Sequence, residues 1–113
     1  DAASLLSFVL ADDGIDTSHL TRVSLPTGRA LIFVSAEGEN SIVVVSGANQ
    51  AVLADEVPAA RVLLSQLEVP VAAIETAFRL GRATGSVTVL NPAPAMELPP
   101  MIFWTAAASE RLL

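Results

Sequence analysis

Few residues in this chain have both the type and the position to do chemistry, and the best placed are two that end apolar runs. Glu68 follows Val62-Leu63-Leu64-Ser65-Gln66-Leu67, and Asn91 follows Val87-Thr88-Val89-Leu90. A carboxylate can accept hydrogen bonds from two hydroxyls of one polyol, which suits a sugar. A carboxamide at a neighbouring strand end can orient a ligand or pin the loop that follows. Both residues also have plainer uses. Glu68 lies just before a segment that starts a helix near Pro70, where negative charge is favourable, and Asn91 can brace a turn. On spacing alone the plain use is at least as good for each. His19 is the sole histidine and sits beside Ser18 and Asp16. A catalytic triad needs its groups to converge in space, which neighbours in one extended segment do not do. His19 therefore reads as a solvated connector residue. The acidic stretch Ala36–Asn40 lacks the ligand number that calcium requires and reads as a hairpin turn. No phosphate-cradling or dinucleotide glycine motif occurs, and no nucleophile elbow.

The elements that must position Glu68 and Asn91 follow from apolar periodicity. Residues 61–67 predict a strand and residues 86–91 a second one. Between them, residues 70–83 predict a helix with Pro70 in its first turn. Val71, Ile74, Phe78 and Gly81 share one face of that helix, Glu75 and Arg79 pair at i,i+4 on another, and Gly85 stops it. Strand, helix and strand make a βαβ unit with parallel strands. In such open sheets ligands bind beyond the carboxyl ends of the strands, where Glu68 and Asn91 lie.

Upstream, Leu5, Leu6, Val9 and Leu10 give a helical stripe over residues 2–12, closed at Asp12-Asp13-Gly14. Residues 21–25 predict a short strand leading to a Pro-Thr-Gly bend. Ala30–Val34 and Ile42–Val45 then predict a hairpin. A surface hairpin alternates apolar with polar residues. This one is apolar on both faces, which raises the question of what covers the second. A loop and short helix over 47–57 follow. The fold class is α/β: an open layer with one βαβ unit and a projecting β-hairpin.

The totals narrow the function classes. The chain has 113 residues, 52% of them hydrophobic and only 16% charged, so it carries more apolar surface than one small domain hides. A net charge of −6 argues against nucleic acid, whose phosphates need a basic surface. Cysteine is absent, which excludes disulfides, zinc-thiolate sites and a thiol nucleophile. No apolar run approaches the ~18 residues of a membrane span, and no signal peptide is visible. The expected location is the cytoplasm. The chain opens on "DAASLLSFVL" without an initiator Met, as expected of an excised or processed piece.

The order of motifs is more specific than any one of them. "GIDTSHL", "PTGRALIFVSAEGENSIVVVSGAN", "LLSQLEVP" and "VTVLNPAPAMELPP" occur in that sequence. Together they closely resemble the middle of the ribokinase-like (PfkB) carbohydrate kinases, over roughly residues 1 to 100. The resemblance implies a partial ribokinase-like α/β layer with a hairpin from the β-sheet lid that closes over the sugar. In the same family lid strands also form a homodimer clasp. By this resemblance Ala30 and Ile32 match lid positions that pack on the sugar, and Glu68 matches the acidic residue that bonds sugar hydroxyls. The family transfers the γ-phosphate of ATP to the 5-hydroxyl of ribose, usually with Mg²⁺.

Departures from the family pattern matter as much. The Gly-Gly sugar segment is missing, as is the Gly-Ala-Gly-Asp motif that carries the catalytic base and anion hole. The nucleotide pocket and monovalent-cation site belong to the same missing half. After "LPP" the chain reads "MIFWTAAASERLL" in place of a strand leading to an Asn-x-x-Glu motif. The span from Asn49 to Leu63 looks shorter than the family's. The implied organisation is one truncated unit: helix and connector (1–20), lid-like strands (21–49), βαβ part (50–100) and an unrelated tail (101–113). No catalytic, cofactor or metal residue is assigned; ATP and Mg²⁺ belong to the parent family.

Two readings follow. The chain is a catalytically inactive segment of a sugar kinase with inherited sugar positions at Glu68, Ala30 and Ile32. Alternatively, it is a non-catalytic structural fragment without a ligand, held together by self-association through the 30–45 hairpin and open sheet edges. No saturable ribose binding is expected of the chain alone.

Overall fold

The computed structural model describes residues 1–55 and 57–100. The tail expected to depart from the family, residues 101–113, lies outside the described residues. Contacts divide the chain into two compact units, Asp1–Ala48 and Asn49–Leu113.

The first unit opens with helix α1 (Ala2–Asp12). Asp1 caps it, its Oδ1 accepting the Ser4 N–H at 2.8 Å, and so satisfies a donor that a helix start leaves over. Gly14 ends it at φ +74°. There the Gly14 N–H donates to the Ala11 carbonyl and the Ile15 N–H to the Leu10 carbonyl, at 3.0 and 2.9 Å. That pair of bonds is a Schellman motif, which needs the left-handed residue glycine supplies.

Strands β1 (Arg29–Val34) and β2 (Asn40–Val45) form the expected antiparallel hairpin. Its turn is closed by Ser35 N–H to the Glu39 carbonyl at 2.8 Å and Gly38 N–H to the Ser35 carbonyl at 3.1 Å. The register places Ala30 opposite Val44 and Ile32 opposite Ile42.

The strand expected at residues 21–25 does not form. Pro26 has no N–H to give a ladder, and β1 pairs with β2 alone among the described residues. The segment serves as a bend instead. Its Pro26 carbonyl accepts the Ala48 N–H at 2.8 Å, which ties it to the exit of β2. Gly47, at φ +51°, makes this approach possible, because a Cβ there would fall on the Pro26 carbonyl oxygen. No described residue of Asp1–Ala48 is buried.

The second unit is the predicted βαβ: β3 (Val62–Gln66), α2 (Val71–Ala83) and β4 (Val87–Asn91), with β3 and β4 parallel. Pro70 is the N-cap of α2 and not part of its first turn, with ψ at 131°. Its carbonyl accepts the Ala73 N–H at 2.9 Å, so it starts the helical ladder from outside. Gly85 ends α2 in a second Schellman motif, through Ser86 N–H to the Gly81 carbonyl and Gly85 N–H to the Arg82 carbonyl.

The buried face of α2 is Ala73, Ile74, Phe78 and Gly81. Val71, expected on it, is half-buried and packs at its edge. Gly81 lets the helix close on β3, since a Cβ there would fall on Cδ1 of Leu63. Leu67, Ile74 and Phe78 form the core, with Leu63, Val69, Val71, Leu90 and Leu98 packed around them. Glu75 and Arg79 make no ion pair with each other, contrary to their spacing. Arg79 is exposed, and a solvent-screened pair of this kind gains too little to hold two long side chains in one geometry.

Alternation sends Leu63 and Leu90 to α2 and leaves the opposite face of the sheet open. Val62, Leu64, Val87 and Val89 are exposed there, Leu64 at 71%.

Candidate functional site

The strands β3 and β4 end on the same rung, Gln66 beside Asn91. Backbone bonds then stitch the two exits together. Leu67 donates its N–H to the Ala93 carbonyl at 2.9 Å, and Ala93 donates its own to the Asn91 carbonyl at 2.8 Å. The Leu67 side chain turns into the core, which anchors the chain immediately before Glu68. The proline-rich segment after Asn91 is therefore a structural clasp on the strand ends, and its Ala93–Pro94 peptide is cis.

An open depression of about 500 Å³ lies at this carboxyl edge, lined by Leu64, Ser65, Gln66, Glu68, Val69 and Asn91. Glu68 is half-buried and Asn91 exposed. The structure thus brings both strand-end residues singled out in the sequence to one concavity. Their side chains, and that of Gln66, make no hydrogen bond or ion pair among the described residues. Polar atoms so placed are satisfied by water or by a ligand. Gln66 was not singled out in the sequence. The available signal was its position two residues before Glu68, where a polar side chain interrupts an apolar run.

Ala30 and Ile32 lie in the first unit, on one face of β1, and both are exposed. Alternation puts Val34, Ile42 and Val44 on that same face and Leu31, Phe33, Val43 and Val45 on the other. Both faces are open along their whole length.

The connector around His19 carries a local turn. The Ser18 N–H donates to Asp16 Oδ1 at 2.9 Å, and this bond holds the Asp16 carboxyl below the usual aspartate range. His19 is exposed beside it. In the hairpin turn the Glu37 N–H donates to Ser35 Oγ at 3.2 Å. Among the described residues no group of three or more His, Asp or Glu could hold a metal ion, and no helix is long and apolar enough to cross a membrane.

A scan against protein-family models finds no match. Comparison with curated proteins does find relatives. Ribokinase of Staphylococcus aureus is 44% identical over 93 residues, which cover 75% of this chain and 31% of the relative. Among solved structures, ribokinase from Thermotoga maritima superposes with a TM-score of 0.76 at 31% identity, over 93% of this chain and 35% of its own. Ribokinase from Cryptococcus neoformans in complex with ADP gives 0.75 at 31% identity, over 86% of this chain and 32% of its own. The chain spans about a third of the length of the curated relatives it matches. Matching ribokinases in sequence and in fold over that third, it is a ribokinase-like segment.

Proposed function

We propose that the chain is part of a ribokinase-like sugar kinase and supplies sugar-contacting elements to it. Those elements are the strand-end edge around Glu68 and the hairpin face of Ala30 and Ile32. One observation carries the reading: Glu68, the residue that matches the family's sugar-binding carboxylate, lines a depression with its side chain unpartnered. The whole enzyme would transfer the γ-phosphate of ATP to the 5-hydroxyl of ribose in the cytoplasm. Such a transfer needs a base for the hydroxyl proton and fixed charge around the moving phosphoryl group. The residues present bind and orient the sugar. They include neither the Gly-Ala-Gly-Asp motif nor a phosphate-cradling loop, so neither ATP nor Mg²⁺ is assigned to them.

Three measurements test this. Purified as these 113 residues, the chain is expected to release no ADP from ATP in a ribose-dependent way, and calorimetry with D-ribose is expected to give no saturable heat. Sustained turnover would overturn the first expectation. Exchanged for the matching segment of Staphylococcus aureus ribokinase, the chain is expected to support ribose phosphorylation. Glu68→Gln in that chimera is then expected to raise the KM for ribose about tenfold or more, the loss of a charge-assisted hydrogen bond worth ~1.5–3 kcal/mol. An unchanged KM would refute a sugar contact at Glu68.

A second reading concerns how the segment persists in isolation, and the first unit favours it. None of its described residues is buried, and a lone two-stranded hairpin is marginal in water. We propose that a second copy of the chain covers the hairpin face formed by Arg29, Leu31, Phe33, Ser41, Val43 and Val45. The opposite face holds Ala30 and Ile32, the positions given to sugar. Charge fits a two-fold arrangement. Arg29 stands at the open end of the hairpin, and Glu37 and Glu39 stand at its turn. Antiparallel stacking would bring each arginine to the partner's acidic turn. A monomeric mass by light scattering at micromolar concentration would exclude this reading.

A further inference from the structure

The carboxyl edge of the βαβ unit holds more polar chemistry than Glu68. Gln66 and Asn91 form the last rung of the parallel ladder. Each follows an exposed apolar residue two positions back, Leu64 on β3 and Val89 on β4. Both amides therefore lie on the sheet face away from α2, whose packing takes Leu63 and Leu90 instead. That face is apolar for two rungs, Val62 beside Val87 and Leu64 beside Val89, and then ends in two adjacent carboxamides.

This arrangement suits one chemical class. Neighbouring strands lie about 4.8 Å apart, so two side-chain amides on one rung can each reach one of two adjacent hydroxyls on a single ring. A carboxamide donates and accepts, whereas a carboxylate only accepts. Together the three groups can meet hydroxyls of either orientation. Leu64 and Val69 line the same depression and offer an apolar surface to the C–H face of a ring. The lining contains one carboxylate and no cationic side chain, so no side chain there offsets the repulsion between Glu68 and a phosphate group.

We propose that Gln66 and Asn91 bind a vicinal hydroxyl pair of a neutral polyol ring whose other hydroxyls are held by Glu68. We further propose that the edge thereby discriminates against phosphorylated sugars. The inference rests on the sugar-binding reading of Glu68 and extends it to two residues and to a selectivity.

The test uses the ¹⁵N-labelled chain, with backbone amides and side-chain NH₂ groups followed by NMR during additions of D-ribose, ribose 5-phosphate and tetrahydrofuran. Tetrahydrofuran is the five-membered ring of the furanose form without its hydroxyls. Chemical shifts respond to contacts too weak to give saturable heat. With ribose, the NH₂ signals of Gln66 and Asn91 are expected to move together, on one concentration dependence shared with the backbone amides of Glu68 and Val69. Ribose 5-phosphate is expected to need several-fold higher concentration for the same displacement, and tetrahydrofuran to give none. Gln66→Leu, at an exposed position, is expected to reduce the Asn91 displacement at least twofold while leaving the spectrum of the fold unchanged. If Glu68 and Val69 respond while the two carboxamides stay still, the amide pair is refuted and the Glu68 reading survives. If none of the four responds, the amide pair is refuted, while the Glu68 reading stands or falls with the KM of the chimera. Equal responses to ribose and its phosphate would overturn the selectivity.

Discussion

Replacing Phe33 with serine tests whether a second copy covers the hairpin. Phe33 is 61% exposed, on the face with Leu31, Val43 and Val45. Burying a large apolar side chain fully is worth roughly 1.5–3 kcal/mol, so covering the exposed part of Phe33 contributes about 1–2 kcal/mol per copy. A two-fold interface counts each substitution twice. Phe33→Ser should then weaken association by about 2–4 kcal/mol, or roughly 30- to 700-fold at 1.4 kcal/mol per decade. Sedimentation velocity over a range of concentrations measures it. Ile32→Ser is the control, because Ile32 is 60% exposed on the opposite face. A general stickiness of the hairpin would weaken both variants alike. An interface on the proposed face spares Ile32→Ser. Equal or larger weakening by Ile32→Ser would refute the choice of face, and association unaffected by Phe33→Ser would refute the hairpin as the interface.

Other outcomes follow from single residues. Phe78→Ala removes a side chain only 1% exposed from a core cluster whose buried members are Leu67, Ile74 and Phe78. The cost of ~3–5 kcal/mol rivals the whole stability of a unit this size, roughly 3–10 kcal/mol, and a urea titration should show the transition lost or shifted to the lowest concentrations. Gly47→Ala puts a Cβ on the Pro26 carbonyl oxygen at a positive φ. It should cost at least ~1 kcal/mol, and hydrogen exchange should show the Ala48 N–H, which donates to Pro26, losing protection. The Asp16 carboxyl should titrate below the usual value of about 3.9, because the Ser18 N–H bonds its charged form. A depressed folded value means the turn's stabilisation is present above the unfolded value and is lost as pH falls through the folded one. The Ser18 amide shift should report that loss, and Asp16→Ala should abolish its pH dependence.

Much of the fold was legible because period and punctuation agree. The 3.6-residue stripe of Ile74, Phe78 and Gly81 predicts the buried face of α2, and Gly14 and Gly85 mark the helix ends at which left-handed residues are required. The residues around 21–25 show the limit. Val23 and Leu25 have strand-forming types, yet a strand needs a partner edge, and propensity does not say whether one is available. Pro70 shows a finer limit, since its fixed φ suits the position before a helix as well as the first turn. Glu75 and Arg79 have the right spacing, but spacing does not fix rotamers. Glu68 and Asn91 were found as strand ends. Gln66 was not, because its significance depends on the ladder register that sets it beside Asn91, and register is a property of two strands at once.

The two units differ in what they need from outside. In the second, α2 supplies a core for one face of the sheet, and the strand exits are fixed by backbone bonds among Leu67, Asn91 and Ala93. The polar edge is therefore positioned by contacts contained within that unit. The hairpin has correct register and a closed turn but no buried residue, so its order depends on whatever covers it. That asymmetry separates the two proposals experimentally. Dissociating the chain by Phe33→Ser should loosen β1 and β2, visible as faster hydrogen exchange at Leu31 and Val43. The ribose-induced displacements of the Gln66 and Asn91 carboxamides should stay as they were. If those displacements vanish with dissociation, the polar edge is not self-contained, and the stitching of the strand ends is not what holds it in place.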